Sequence, residues 1–134
     1  MPKLNPTQEE VIIIGDDFCP GEQGNAEIDS LLGYHTVVLE DKAVRSEAFG
    51  CSYAPNYCGD IDLVLEELAK FDLDPCILPV QPIQKKRAKN TVADTPSLFT
   101  ASFIYDNEHY LTKPFNTEEL ALSCALWYVL AYHH

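Results

Sequence analysis

The sequence predicts a three-layer α/β domain, a parallel sheet covered by helices on both sides. Short apolar runs at residues 11–15, 35–40 and 76–80 are continuous rather than alternating, the pattern of strands buried on both faces. Between them lie segments whose apolar residues recur at helical spacing. The runs tend to stop at charged residues, Asp16 and Asp17, Asp41 and Lys113, and in open parallel sheets ligands gather beyond the carboxyl ends of the strands.

In chain order, residues 11–15 form the first strand and end at the acid pair. Residues 24–32 carry Ala26, Ile28, Leu31 and Leu32 at helical intervals, and Gly33 suits a C-terminal cap. Residues 35–40 are rich in β-branched side chains and make the second strand. Residues 42–60 are the least regular, with Pro55, Asn56 and Gly59 close together, and leave room for a short third strand near residues 49–51. Ile61, Leu65, Leu68 and Phe71 then repeat as an amphipathic helix with acids in its first turn. Residues 76–80 are a further strand, bent by Pro79. Asp94 or Thr95 before Pro96 starts a helix that runs to about residue 105. Residues 110–112 are a short strand, and Asn116 with Glu119 forms a capping box for a last helix that ends near residue 131.

A chain of 134 residues supports one core, here residues 10–132, preceded by a flexible segment over residues 1–9. The hydrophobic share of 46% and charged share of 22% are those of a globular protein. A net charge of -12 repels phosphate backbones and argues against nucleic acid as a partner. Lys85, Lys86, Arg87 and Lys89 read as a solvated loop. No stretch approaches the ~20 apolar residues of a membrane span, and the start lacks a secretory pattern, so no membrane and a cytoplasmic location are expected. Cys19, Cys51, Cys58, Cys76 and Cys124 contain no CxxC pair and suit reduced thiols. A zinc on Cys51 and Cys58 with His35 or His109 lacks a recurrent ligand spacing.

Tyr110-Leu-Thr-Lys-Pro-Phe115, followed by Asn-Thr-Glu-Glu-Leu120, resembles the receiver domains of two-component response regulators. In that family the fifth strand ends in a lysine-proline-phenylalanine step before the last helix. Val11-Ile-Ile-Ile-Gly-Asp-Asp17 is similar to the family's first strand and acid pair, and residues 32–38 to its second strand. The resemblance implies a flavodoxin-like, doubly wound sheet of about five strands, with the second helix shortened or lost and the loop before the fourth helix extended. It implies an acidic pocket of Asp16, Asp17 and Lys113, with Cys51 at the phosphoacceptor position. The switch positions fall on Val80 or Gln81, which lack the family's hydroxyl, and on Tyr110.

These departures imply a pseudo-receiver that signals by protein contact without aspartyl phosphorylation, not an enzyme. No cofactor is required; Asp16 and Asp17 offer Mg²⁺ a weak site, and a cysteine cannot complete it, being a soft ligand. The partner is a regulator, kinase or output domain, or a second copy joined through the last helix. Leu122, Leu126, Trp127 and Leu130 with Tyr110 mark that surface, because the helix is apolar around most of its circumference. Two other readings stand beside this one. The first is a phosphorylatable receiver that uses Asp60, Asp62 or Glu67 as acceptor; the second is a small metal-dependent hydrolase built on Asp16 and Asp17. A redox role for Cys51 beside Lys113 competes with plain filling of the vacated acceptor site.

Overall fold

Two separate sheets, not one, organise residues 11–80 and 98–132, which this computed structural model describes. The elements run β1 (Val11–Ile14), α1 (Glu22–Leu31), β2 (His35–Leu39), β3 (Lys42–Glu47), β4 (Gly50–Tyr53), α2 (Ile61–Ala69), β5 (Cys76–Val80), β6 (Leu98–Tyr105), β7 (Glu108–Thr112) and α3 (Glu118–Tyr132). The first sheet has the order β1-β7-β6-β5 and the second β2-β3-β4. Only β1 and β7 pair in parallel; every other pairing among the described strands is antiparallel.

This architecture corrects the expected flavodoxin-like parallel sheet. Two tight turns account for the difference. Glu40 and Asp41 (φ 52° and 66°) fold β2 back on β3, and Asp106 and Asn107 (φ 57° and 67°) fold β6 back on β7. Paired positive φ values match the right-handed twist of the flanking strands, and Asp and Asn tolerate that region better than most residues. A hairpin therefore stands where a shortened second helix was expected. Residues 98–105, expected as a helix, form β6 instead: Thr100, Phe103, Ile104 and Tyr105 favour a pleated strand, which the Asp106-Asn107 turn pairs with β7.

Helices α1 and α2 fall where helical spacing of apolar residues puts them, and α3 follows the capping signal at residues 116–119. Asp60 caps α2 by accepting from the Leu63 amide at 3.3 Å. At α3 the cap is Thr117, whose hydroxyl oxygen accepts from the Leu120 amide at 3.1 Å, rather than the Asn116-Glu119 box.

Helix α3 lies against the inner face of the first sheet, and α1 and α2 pack on its other sides. Ile14, Ala101, Phe103 and Tyr110 meet Leu122, Cys124, Leu126 and Val129 in one core. A helix apolar all round belongs inside a fold, and α3 is this fold's central helix. The expected interaction surface is thereby corrected: Tyr110, Leu122, Leu126, Trp127 and Leu130 are all buried by the chain's own elements. The large apolar side chain that α3 leaves exposed among its described residues is Tyr132, near its end.

Gly15, at φ 116°, ends β1; a Cβ there would sit 3.0 Å from Cys124 Sγ and 3.2 Å from Lys113 Cγ. The outer face of the first sheet stays open at Val11, Ile13, Leu78 and Ile104, so its strands are not buried on both faces. No helix among the described residues is long and apolar enough to cross a membrane. The N-terminal segment, Gln81 and the basic loop lie outside the described residues.

Candidate interaction surface

A single buried carboxylate holds the second sheet to the body. Asp29 projects from α1, fully buried, and accepts from Arg45 Nη2 at 2.7 Å, Arg45 Nε at 3.0 Å, Thr36 Oγ1 at 2.6 Å and the Tyr57 hydroxyl at 2.8 Å. These donors come from β2, β3 and the loop before α2, so one side chain ties four segments together. Burial opposes the charge on Asp29, but the hydrogen bonds from Arg45, Thr36 and Tyr57 and the guanidinium charge outweigh it, and its carboxyl lies below the ordinary value. The hydrogen bond to Asp29 raises Arg45 further above its usual range, and burial followed by Asp29 raises the Tyr57 phenol. The guanidinium also stacks on Tyr34, 3.7 Å from the ring centroid.

Neighbouring polar groups extend this clamp. Glu22 accepts from the Ala43 amide at 2.8 Å and pins β3 to α1. Asn25 accepts from the Cys58 amide at 2.8 Å and donates to Asn56 at 3.1 Å. The Ser123 hydroxyl of α3 bonds the Tyr57 carbonyl, which anchors the loop to the core.

Side chains alternate across a strand, so fixing Thr36, Ala43 and Arg45 toward α1 turns their neighbours outward. The register places Val37 opposite Val44 and Val44 opposite Tyr53, in one row across all three strands. Leu39 lies beside that row. Val37 is 56%, Leu39 54% and Tyr53 73% exposed, and Phe49, in the β3-β4 turn, is 101% exposed. The only charged strand residue on this outer face is Lys42, paired with Leu39. The residue-by-residue reading missed this surface because residues 42–60 show little local regularity. The available signal was the Glu40-Asp41 turn with Val37, Val44 and Tyr53 at alternating positions around it.

The receiver-like residues do not gather into one pocket. Asp16 and Asp17 lie exposed in the turn after β1, beside a shallow hollow also lined by Ile12, Trp127, Tyr128 and Tyr132. Lys113 follows the adjacent β7, and its amide donates to the Ile14 carbonyl at 2.8 Å. Its ammonium, however, sits over the Phe115 ring, 5.6 Å from the centroid. The ion pairs among the described residues are instead Asp29-Arg45 and Glu67-Lys70. Cys51 lies exposed on β4, in the other sheet from Lys113, so it is not the missing corner of an acidic site. Val80 ends β5, at the edge of the first sheet and separated from β7 by β6. Tyr110 is inside the core, stacked on Phe103 at 5.3 Å, and burial pushes its hydroxyl up to about 12.

The other acids and thiols have ordinary structural roles. Asp60 is a helix cap, Glu67 pairs with Lys70 at 3.1 Å, and Asp62 is exposed on the first turn of α2. No group of three His, Cys, Asp or Glu side chains among the described residues is arranged to hold a metal, and the Asp16-Asp17 pair gains no third acidic ligand there. All five cysteines are free thiols; burial pushes Cys124 up to about 12 despite Lys113 nearby.

Compared with models of protein families, with curated proteins and with solved structures, the chain matches none. Function must therefore be read from its own surface and chemistry. Incubation with acetyl phosphate and Mg²⁺ is expected to leave the intact mass unchanged, because Cys51, at the acceptor position, is no carboxylate and lies in the other sheet from Asp16, Asp17 and Lys113. A stable adduct of one phosphoryl group would contradict that expectation.

Proposed function

We propose that this chain is a protein-binding module of a signalling system, acting by contact rather than by aspartyl phosphorylation, and that the outer face of the second sheet is the contact. The observation that carries this reading is the cross-strand row Val37-Val44-Tyr53, exposed at its two ends and half-buried at Val44, with exposed Leu39 beside it. Apolar side chains grouped on a surface lower their free energy by leaving water against a partner. The receiver-like segments at residues 11–17 and 110–115 support the signalling context.

Charge narrows the partner's chemistry. A chain of net charge -12 draws in basic surfaces, while the row itself carries no acid. The fitting partner is a protein with an apolar centre and a rim of Lys and Arg, so that its centre meets the row and its rim faces the surrounding acids.

Photo-cross-linking in the expressing cell tests this reading. With p-benzoylphenylalanine at Val37, a discrete protein adduct is expected that disappears on adding Val44→Lys. The same probe at Leu65, an exposed apolar residue of α2, is expected to yield none. Equal adducts from both positions, or adducts from Leu65 alone, would place the contact elsewhere.

A further inference from the structure

We infer that β4 is an assembly edge: two copies of this chain join by antiparallel pairing of their β4 strands, centred on Ser52. This goes beyond the binding face, since it uses the rim of the second sheet rather than its outer surface. Among the described strands β4 is outermost in its sheet, and all four of its residues are exposed.

The hydrogen-bond parity defines what that rim presents. The Ala54 amide donates to the Ala43 carbonyl at 2.9 Å, immediately beyond the Val44-Tyr53 pair. Antiparallel ladders alternate between bonded and non-bonded pairs, so the bonded pairs are Arg45-Ser52 and Glu47-Gly50. The backbone N–H and C=O of Cys51 and Tyr53 therefore point away from β3, toward open space. Exposed edges in natural sheets are usually blunted by lysine, proline or a bulge. Gly50-Cys-Ser-Tyr53 contains none of these, and Pro55 comes only after the strand.

An antiparallel edge is its own complement under a two-fold axis. With the axis at Ser52, Cys51 faces Tyr53 of the second copy and all the outward donors and acceptors of both residues are used. Sliding the axis toward the C-terminus sets Cys51 against Pro55, which has no N–H to give. Sliding it the other way sets Tyr53 against Phe49, in the turn. The chosen register also brings Phe49, fully exposed in one chain, alongside Pro55 of the other. The two Tyr53 rings become diagonal neighbours, within reach of one another.

Charge acts differently on the two faces of this edge. On the inner face Glu47 accepts from the Ser52 hydroxyl at 2.9 Å, so two carboxylates flank the axis and oppose pairing, while the outer face of β4 is uncharged and the charged strand residue on that face is Lys42 of β3. The product is one continuous antiparallel sheet with three strands from each copy, on which the two Val37-Val44-Tyr53 rows form a single band.

Size-exclusion chromatography with light scattering on the full chain is expected to show a concentration-dependent dimer. Cys51→Pro removes an outward N–H without touching the β3-β4 ladder, and is expected to give a monomer with an unchanged far-UV spectrum. A second variant keeps the test decisive if that proline disturbs folding. Opposed Ser52 residues form a non-bonded pair with Cα atoms roughly 4.5 Å apart, within disulfide range. Mild oxidation of Ser52→Cys is therefore expected to yield a covalent dimer linked through position 52, while wild-type Cys51, diagonal to its counterpart, does not link to it. A monomer at every concentration with no link at position 52, or a dimer linked through Cys51, overturns the proposal. A monomer that still gives the Val37 adduct overturns the pairing alone and leaves the binding face standing.

Discussion

Replacing Asp29 with alanine is expected to destabilise the fold by about 3–5 kcal/mol, read as a lowered urea midpoint at unchanged slope. The cost arises less from the hydrogen bonds removed than from the polar groups stranded by their removal. The Thr36 and Tyr57 hydroxyls, both bonded to this carboxylate within the protein, lose their acceptor, and the Arg45 guanidinium loses its counter-charge. The Arg45 side chain is 19% exposed, so water takes up part of its charge, which places the effect nearer about 3 kcal/mol. Asp29→Asn keeps an acceptor for one donor and is expected to cost less. A cost for Asp29→Ala below about 1 kcal/mol would mean that the second sheet is held chiefly by something else.

The same network sets an acid limit with a definite sign. The folded carboxyl lies below its ordinary value of 3.8, so its stabilisation is fully present above that value. It fades as pH falls through the depressed folded value. Wild type should therefore lose more stability than Asp29→Asn on going below pH 3.8, and the two should run parallel above it.

Leu126→Ala is expected to cost about 2–5 kcal/mol, the range for a fully buried leucine whose surroundings cannot collapse into the space. This result separates the two places an interaction could lie. Were α3 a docking helix, truncating Leu126 would weaken binding and leave the thermal midpoint nearly unchanged. Tyr53→Ser supplies the opposite case: the side chain is largely exposed, so the change is expected to fall within about 0.5 kcal/mol while removing one end of the apolar row.

Several elements were legible residue by residue because their signals are local. Ile61, Leu65 and Leu68 mark α2 by period alone, and Asp60 caps it through its own carboxylate three residues on. Gly33, at φ 111°, closes α1 as its position after Leu32 suggests. The apolar run at residues 76–80 is β5, and Pro79 is tolerated because β5 lies at the edge of the first sheet.

The strand pairing and the choice of face were not local. Val11 and Ile13 look the same in sequence whether a helix covers them or water does, and only the placement of α3 on the opposite side leaves them exposed. Asp29 reads as one more acid on a helix until Arg45, sixteen positions away, and Tyr57, twenty-eight away, fold onto it. Asp16, Asp17 and Lys113 do end neighbouring parallel strands, but the ammonium turns to Phe115, a choice made by side-chain packing. Period, caps and turns depend on residues a few positions apart, so the order of residues was enough to set them. Sheet order, the buried face of each strand and the partner of each charge depend on contacts between distant segments, and the assembled core settled those.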